Sequence, residues 1–159
     1  MTAQQPIEYA RVEFRPNPGR PNEGRIFLGI VFAFKRGKDG EIVGWRLAFD
    51  IPEEQLATLD QLSRDLVLKR KTTLRSELAS AIKQPTDGHK VLENLAAENI
   101  WAFHVAKPTT LKVDRYTGSR TVEDWVDEWT LQLCRSEGVT SLDQPQLVTI
   151  VEQEALEAV

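Results

Sequence analysis

The pattern of the chain predicts an α+β fold: an antiparallel sheet centred on a hairpin over residues 25–50, with helices packed on one face. Three observations predict it. The first fifty residues read as strands, residues 51–98 carry apolar residues at helical spacing, and a late aromatic strand is followed by one more amphipathic helix. With 159 residues, 41% of them hydrophobic, the chain reads as a single domain over 1–159, fraying at 1–6 and 152–159.

The strands come first. Ile7 to Arg15 alternates apolar and charged residues, but Ile7 and Tyr9 differ in parity from Val12 and Phe14, which predicts a bulge or register break near Ala10–Arg11. Pro16 to Gly24 is a loop, because its three prolines have no N–H to give a ladder. Ile26 to Phe34 is a near-continuous apolar run, the signature of a central strand, and Gly29 within it marks a bulge or a close backbone approach. Gly37-Lys38-Asp39-Gly40 is a hairpin turn, after which Glu41 to Asp50 pairs back.

The helices follow. Asp50 is placed to cap a helix, with Glu53 three residues on. Leu56, Leu59, Leu62, Leu66, Leu74, Leu78 and Ile82 recur at helical spacing, and the β-branched pair Thr72-Thr73 is expected to interrupt them. Pro85 to Gly88 ends that segment, and His89 to Glu98 is a short helix. Ile100 to Val105 and Thr110 to Asp114 are strands separated by Lys107-Pro108. Thr121 is an N-cap, Val122, Trp125, Val126, Trp129 and Leu133 lie on one helical face, and Gly138 stops the helix. Leu147 to Val151 is a further strand or a helix start.

Charge and composition exclude several functions. The formal charge of −4 divides into +2 over residues 1–50, 0 over 51–107 and −6 over 108–159. A non-specific nucleic-acid binder would instead show a net basic domain or stripe. The acids of the last third are interleaved with Trp and Leu, which describes a solvated helix face. The longest apolar run covers nine residues, too few to span a bilayer as a helix, and the N-terminus lacks the pattern of a secretory signal. The single cysteine, Cys134, forms no internal disulfide, which fits a reducing compartment and a cytoplasmic location.

The search for chemistry yields few constellations. His89 and His104 stand 15 residues apart without a second ligand at useful spacing, so no metal site is expected. Gly37 to Gly40 precedes a strand rather than a helix, so it is no phosphate loop, and no cofactor is expected. Cys134 falls beside a helix's apolar face, where a packed thiol is the simpler reading. His104 reads as a strand histidine, and no catalytic residue is assigned. Two basic groups remain as binding candidates. Arg11, Arg15, Arg20, Glu23 and Arg25 occupy or flank the proline-stiffened loop, and arginine's planar fork suits phosphate or carboxylate. The competing reading pairs these arginines with Glu8, Glu13 and Glu23. Lys69, Arg70, Lys71 and Arg75 form the second patch, on a helix. Of the four tryptophans, Trp125 and Trp129 read as core, and an exposed tryptophan would mark a partner surface.

Tyr9, Val12 and Phe14, then Pro16, Pro18, Arg20 and Glu23, then Gly29, Ile30 and Val31 follow a recognisable order. The order resembles the opening of a family of small bacterial proteins of unknown function, often encoded beside HipA-like kinases. The family's strand–loop–strand pattern reads Y-x-x-V-R-F, P-x-P-x-R-x-E and N-x-G-V-V-L. The resemblance extends over residues 7 to 135, through the helical middle and the Val122–Leu133 helix. It departs where Phe27-Leu28 replaces the family's asparagine. It implies a compact α+β protein linked to toxin–antitoxin or defence loci, and no reaction.

The expected function is a non-enzymatic interaction or regulatory protein that binds a protein partner or a second copy of itself, away from membranes. The alternatives are a nucleic-acid-binding accessory using the arginine-rich loop, and an enzyme with an unrecognised site.

Overall fold

The computed structural model describes residues 4–15, 25–35, 40–48, 51–82, 90, 92–93, 103–105, 109–114, 121–139 and 141–150. Its centre is an antiparallel meander of β1 (Gln4–Phe14), β2 (Ile26–Lys35) and β3 (Glu41–Leu47). The expected hairpin is its second half, paired from Lys35↔Glu41 to Gly29↔Leu47. β4 (Phe103–Val105) and β5 (Thr109–Asp114) both pair with the outer edge of β1, at Val12–Phe14 and Gln4–Tyr9. Along that edge β4 and β5 occupy successive stretches. Gln4–Pro6, expected to fray, belong to that pairing. β6 (Gln146–Ile150) lies beyond β3 and resolves the strand-or-helix alternative as a strand. The sheet order is β4-β1-β2-β3-β6, all antiparallel, and the α+β class holds.

The helices are α1 (Glu53–Leu56), α2 (Gln61–Ile82) and α3 (Val122–Ser136). They divide between the two faces of the sheet rather than sharing one. Ile26, Leu28, Val31 and Ala33 of β2 join Leu56, Val67, Leu74 and Leu78 of α1 and α2 in one core. Phe27, Ile30, Phe32 and Phe34 join Val122, Trp125, Val126 and Trp129 of α3 in the other. The physical reason lies in β2 itself. Burying one such side chain stabilises by about 1.5–3 kcal/mol. Four of them left in water would forfeit an amount comparable to the whole net stability of a domain. Aromatic edges complete the α3 side: Phe32 meets Trp129 at 5.1 Å and Phe34 meets Trp125 at 5.3 Å between ring centroids.

Two-sided burial also explains the parity change in β1. Ile7 packs on the α3 side, while Ala10, Val12 and Phe14 pack on the α2 side. The strand keeps its alternation through Ala10–Arg11, so the expected break there is absent. The register shift falls at Val12/Glu13, opposite Leu28 and Gly29 of β2, as Gly29 led us to expect for that strand.

Helix ends follow local chemistry. The Thr121 hydroxyl accepts the Asp124 N–H at 3.1 Å. At the other end Gly138, at φ +87°, donates to Arg135 O, and Val139 donates to Cys134 O. These are the two bonds of a Schellman stop. The expected cap for the middle helices differs. α1 starts after Pro52 with no side-chain cap, and Asp50 lies outside the described residues. The cap of α2 is Asp60, whose carboxylate accepts the Ser63 N–H at 2.7 Å. α2 runs unbroken through Thr72-Thr73, whose hydroxyls donate back to the carbonyls of Lys69 and Arg70 at 2.6 and 3.1 Å. Of the hairpin turn Gly37–Gly40 only Gly40 is described, at φ +100°; the segment Pro85–Gly88 and Trp101 lie outside the described residues, and of the His89–Glu98 helix only Lys90, Leu92 and Glu93 are described, all helical.

The Asp60 cap carries a pH dependence. The Ser63 backbone N–H holds the Asp60 carboxyl below its ordinary 3.8. Because the folded value is depressed, the stabilisation is present above 3.8 and is lost as pH falls through the lower, folded value. Asp60→Asn keeps an oxygen acceptor without a titrating group. Circular dichroism in acid should therefore show wild-type helicity falling relative to its neutral value more than that of Asp60→Asn. Equal losses would mean that the carboxylate contributes nothing.

Candidate functional site

The site begins with a charge placed inside the sheet. Arg46 of β3 is 5% exposed and points to the α3 side, toward Asp127 and Thr130. Its Nη1 donates to Asp127 O at 2.8 Å and to Thr130 Oγ1 at 3.0 Å, and pairs with Asp127 Oδ1 at 3.0 Å. Its Nε donates to Asp143 O at 3.0 Å. The Asp143 N–H in turn donates to Leu47 O at 2.9 Å. The backbone of Asp143 is thus fixed from both sides, and its carboxylate meets Arg75 of α2 in an ion pair.

This pair stands at a cleft of about 520 Å³ between α2 and the sheet. Leu28, Leu47 and Leu74 give it an apolar base, with Lys71, Thr72, Arg75 and Ser76 along its α2 side. Leu68, another lining residue, is 43% exposed despite its size. Helical spacing explains the arrangement: Leu68, Lys71, Thr72 and Arg75 form one stripe, beside the stripe of Val67, Leu74 and Leu78 that enters the core. A cleft of this size, largely apolar with a few convergent polar groups, has the character of a binding site.

The structure divides the candidate residues. Lys71 and Arg75 line the cleft. Lys69 is exposed on α2, and Arg70 pairs with Glu77 at 3.3 Å. Arg15 and Arg25 come together on Glu13, a carboxylate only 1% exposed, at 3.2 and 3.3 Å. Arg11 lies on the same face of β1 and pairs with Glu137 at the end of α3, at 2.9 Å. For these three arginines the pairing with acids is what the structure contains. Arg20 and Glu23 lie outside the described residues. The two basic groups do not merge: strand alternation puts Arg11, Glu13 and Arg15 on the α3 side, whereas the cleft opens on the α2 side. His104 stands opposite Glu13 in the β1–β4 register.

Arg46 and Asp143 were missed by sequence reasoning. An arginine between Trp45 and Leu47 in a strand of buried residues is a signal for an internal ion; Asp143, 97 residues away, carries no local one. The three described tryptophans, Trp45, Trp125 and Trp129, are all buried, so none of them marks a partner surface. Among the described residues no three His, Cys, Asp or Glu side chains converge as a metal site, and no helix is long and apolar enough to cross a membrane.

Cys134 is fully buried in the α3-side core. Burial pushes its thiol up to about 12, against a smaller opposing pull from Arg46. The thiolate is the nucleophile, so the folded protein should resist an aromatic disulfide reagent at neutral pH and react once denatured. Prompt labelling of the native protein would contradict this burial.

No family model, curated protein or solved structure matches the chain. The fold and the site together define a three-layer α+β protein with a cation-bearing apolar cleft.

Proposed function

We propose that the protein is a non-enzymatic interaction protein of regulatory type, acting in the cytoplasm, whose cleft between α2 and the sheet receives an acidic, apolar-bearing segment of a protein partner. The cleft carries this reading. Its leucine base suits a buried apolar anchor, and Lys71 and Arg75 suit flanking carboxylates. Lys69, Arg70, Lys71 and Arg75 cluster within seven residues of α2 on a chain of formal charge −4, with Arg70 paired to Glu77 and Arg75 to Asp143. Asp143 holds Arg75 until a partner carboxylate replaces it, which favours ligands with an acid at that position. The sequence resemblance adds a setting in bacterial toxin–antitoxin or defence systems.

A random peptide library selected on the protein, with counter-selection on Lys71→Glu/Arg75→Glu, tests this reading. Acidic sequences with a leucine or aromatic anchor should be enriched, and should bind the wild type but not the variant. Enrichment without acid, or equal binding to the variant, would overturn it. So would displacement of the selected peptides by single-stranded DNA or RNA with a steep salt dependence, which would favour the nucleic-acid alternative.

A further inference from the structure

The two edges of the sheet are built differently. The β5 strand of one edge carries an exposed Lys112. A lysine on an edge strand is one device that keeps edges from pairing with other chains. The opposite edge, β6, has no such residue. Its sequence Gln146-Leu147-Val148-Thr149-Ile150 is uncharged, lacks proline and glycine, and is rich in strand-forming residues. Among the described residues it pairs only with β3.

Both cores also end there incompletely. Val148 packs against the α2-side core and Leu147 against the α3-side core, and each is only partly buried.

We propose that β6 is the homodimerisation edge of this protein, pairing antiparallel with β6 of a second copy about a twofold axis at Val148. The strand is its own complement in this arrangement. Val148 stands opposite Val148 of the second copy, and Leu147 opposite its Thr149, so apolar and neutral residues meet without opposed charges. Each copy would pair with the outer backbone groups of the other's β6, and each would extend both cores of the other at once. A foreign strand would satisfy the backbone, but only a second β6 brings the same half-buried Val148 and Leu147 to the same two faces.

Size-exclusion chromatography with light scattering tests the assembly. The wild type should have a mass near twice 18.0 kDa and dissociate on dilution. Gln146→Lys, at an exposed position of the strand, should shift the protein to the 18.0 kDa species with its circular dichroism spectrum unchanged. In a Cys134→Ser background, Val148→Cys should form an intermolecular disulfide on mild oxidation, whereas Gln144→Cys should not. A wild type that remains monomeric at all concentrations would overturn the proposal. A dimer that survives Gln146→Lys, or that links through position 144 rather than 148, would also overturn it. The edge is separate from the cleft, so peptides selected on the cleft should bind the Gln146→Lys protein as they bind the wild type.

Discussion

Replacing Arg46 with methionine should lower the unfolding free energy by about 3 kcal/mol in a denaturant titration with an unchanged slope. Methionine keeps much of the volume of the side chain, so the loss isolates the polar contacts. The guanidinium satisfies Asp127 O, Thr130 Oγ1 and Asp143 O at 2.8 to 3.0 Å. Stripped of it, the Asp143 carbonyl and the Thr130 hydroxyl face an apolar side chain, and a buried acceptor without a donor costs about 1–3 kcal/mol. The Asp127 carboxylate adds little, because it is half-exposed and water can replace its partner. Arg46→Lys should fall between, since an ammonium cannot reach the α3 groups and the Asp143 carbonyl with one planar fork. A loss of less than about 0.5 kcal/mol, the range of ordinary surface changes, would show that the guanidinium is dispensable. Because Arg46 also fixes Asp143, the methionine variant should weaken any cleft ligand that reads the Arg75–Asp143 pair.

Gly44→Ala should be of similar size and act at a different place. An added Cβ would lie 2.6 Å from Cζ of Phe32 and closer still to the Gln146 carbonyl oxygen of β6. Phe32 has little room to retreat, being held edge-on against Trp129 at 5.1 Å. The strain therefore falls on the β3–β6 pairing. Overpacking of this kind costs about 1–3 kcal/mol, and contact with backbone places Gly44→Ala near the upper end. Amide exchange should accelerate most in Gln146–Ile150. A variant with native stability and native β6 protection would mean that the sheet accommodates the methyl group.

Much of the fold was legible because its determinants are local. The Thr121 cap, the face running from Val122 to Trp129 and the Gly138 stop each need only neighbouring residues, and all three are present. The central hairpin was equally legible from β2 and β3. What escaped depended on tertiary placement. The run Ile26–Phe34 indicates burial on both faces, yet the pattern does not say that α3 supplies the second cover. Thr72-Thr73 looked like an interruption on propensity, a weak local preference that the surrounding helix overrides. At the site, helical spacing placed Lys71 and Arg75 on α2, whereas Asp143 reaches them only through the sheet. The arginines around the first loop drew attention by number, and Glu13 proved to be the acid that holds two of them.

The sheet that separates the two cores also separates the chromophores. Trp45 reports from the α2 side, and Trp125 and Trp129 report from the α3 side. Single-tryptophan versions of the chain would therefore follow the melting of each helical layer separately. Coincident transitions would mean that the partition conducts cooperativity between layers, and separated ones would make it a boundary between two folding units.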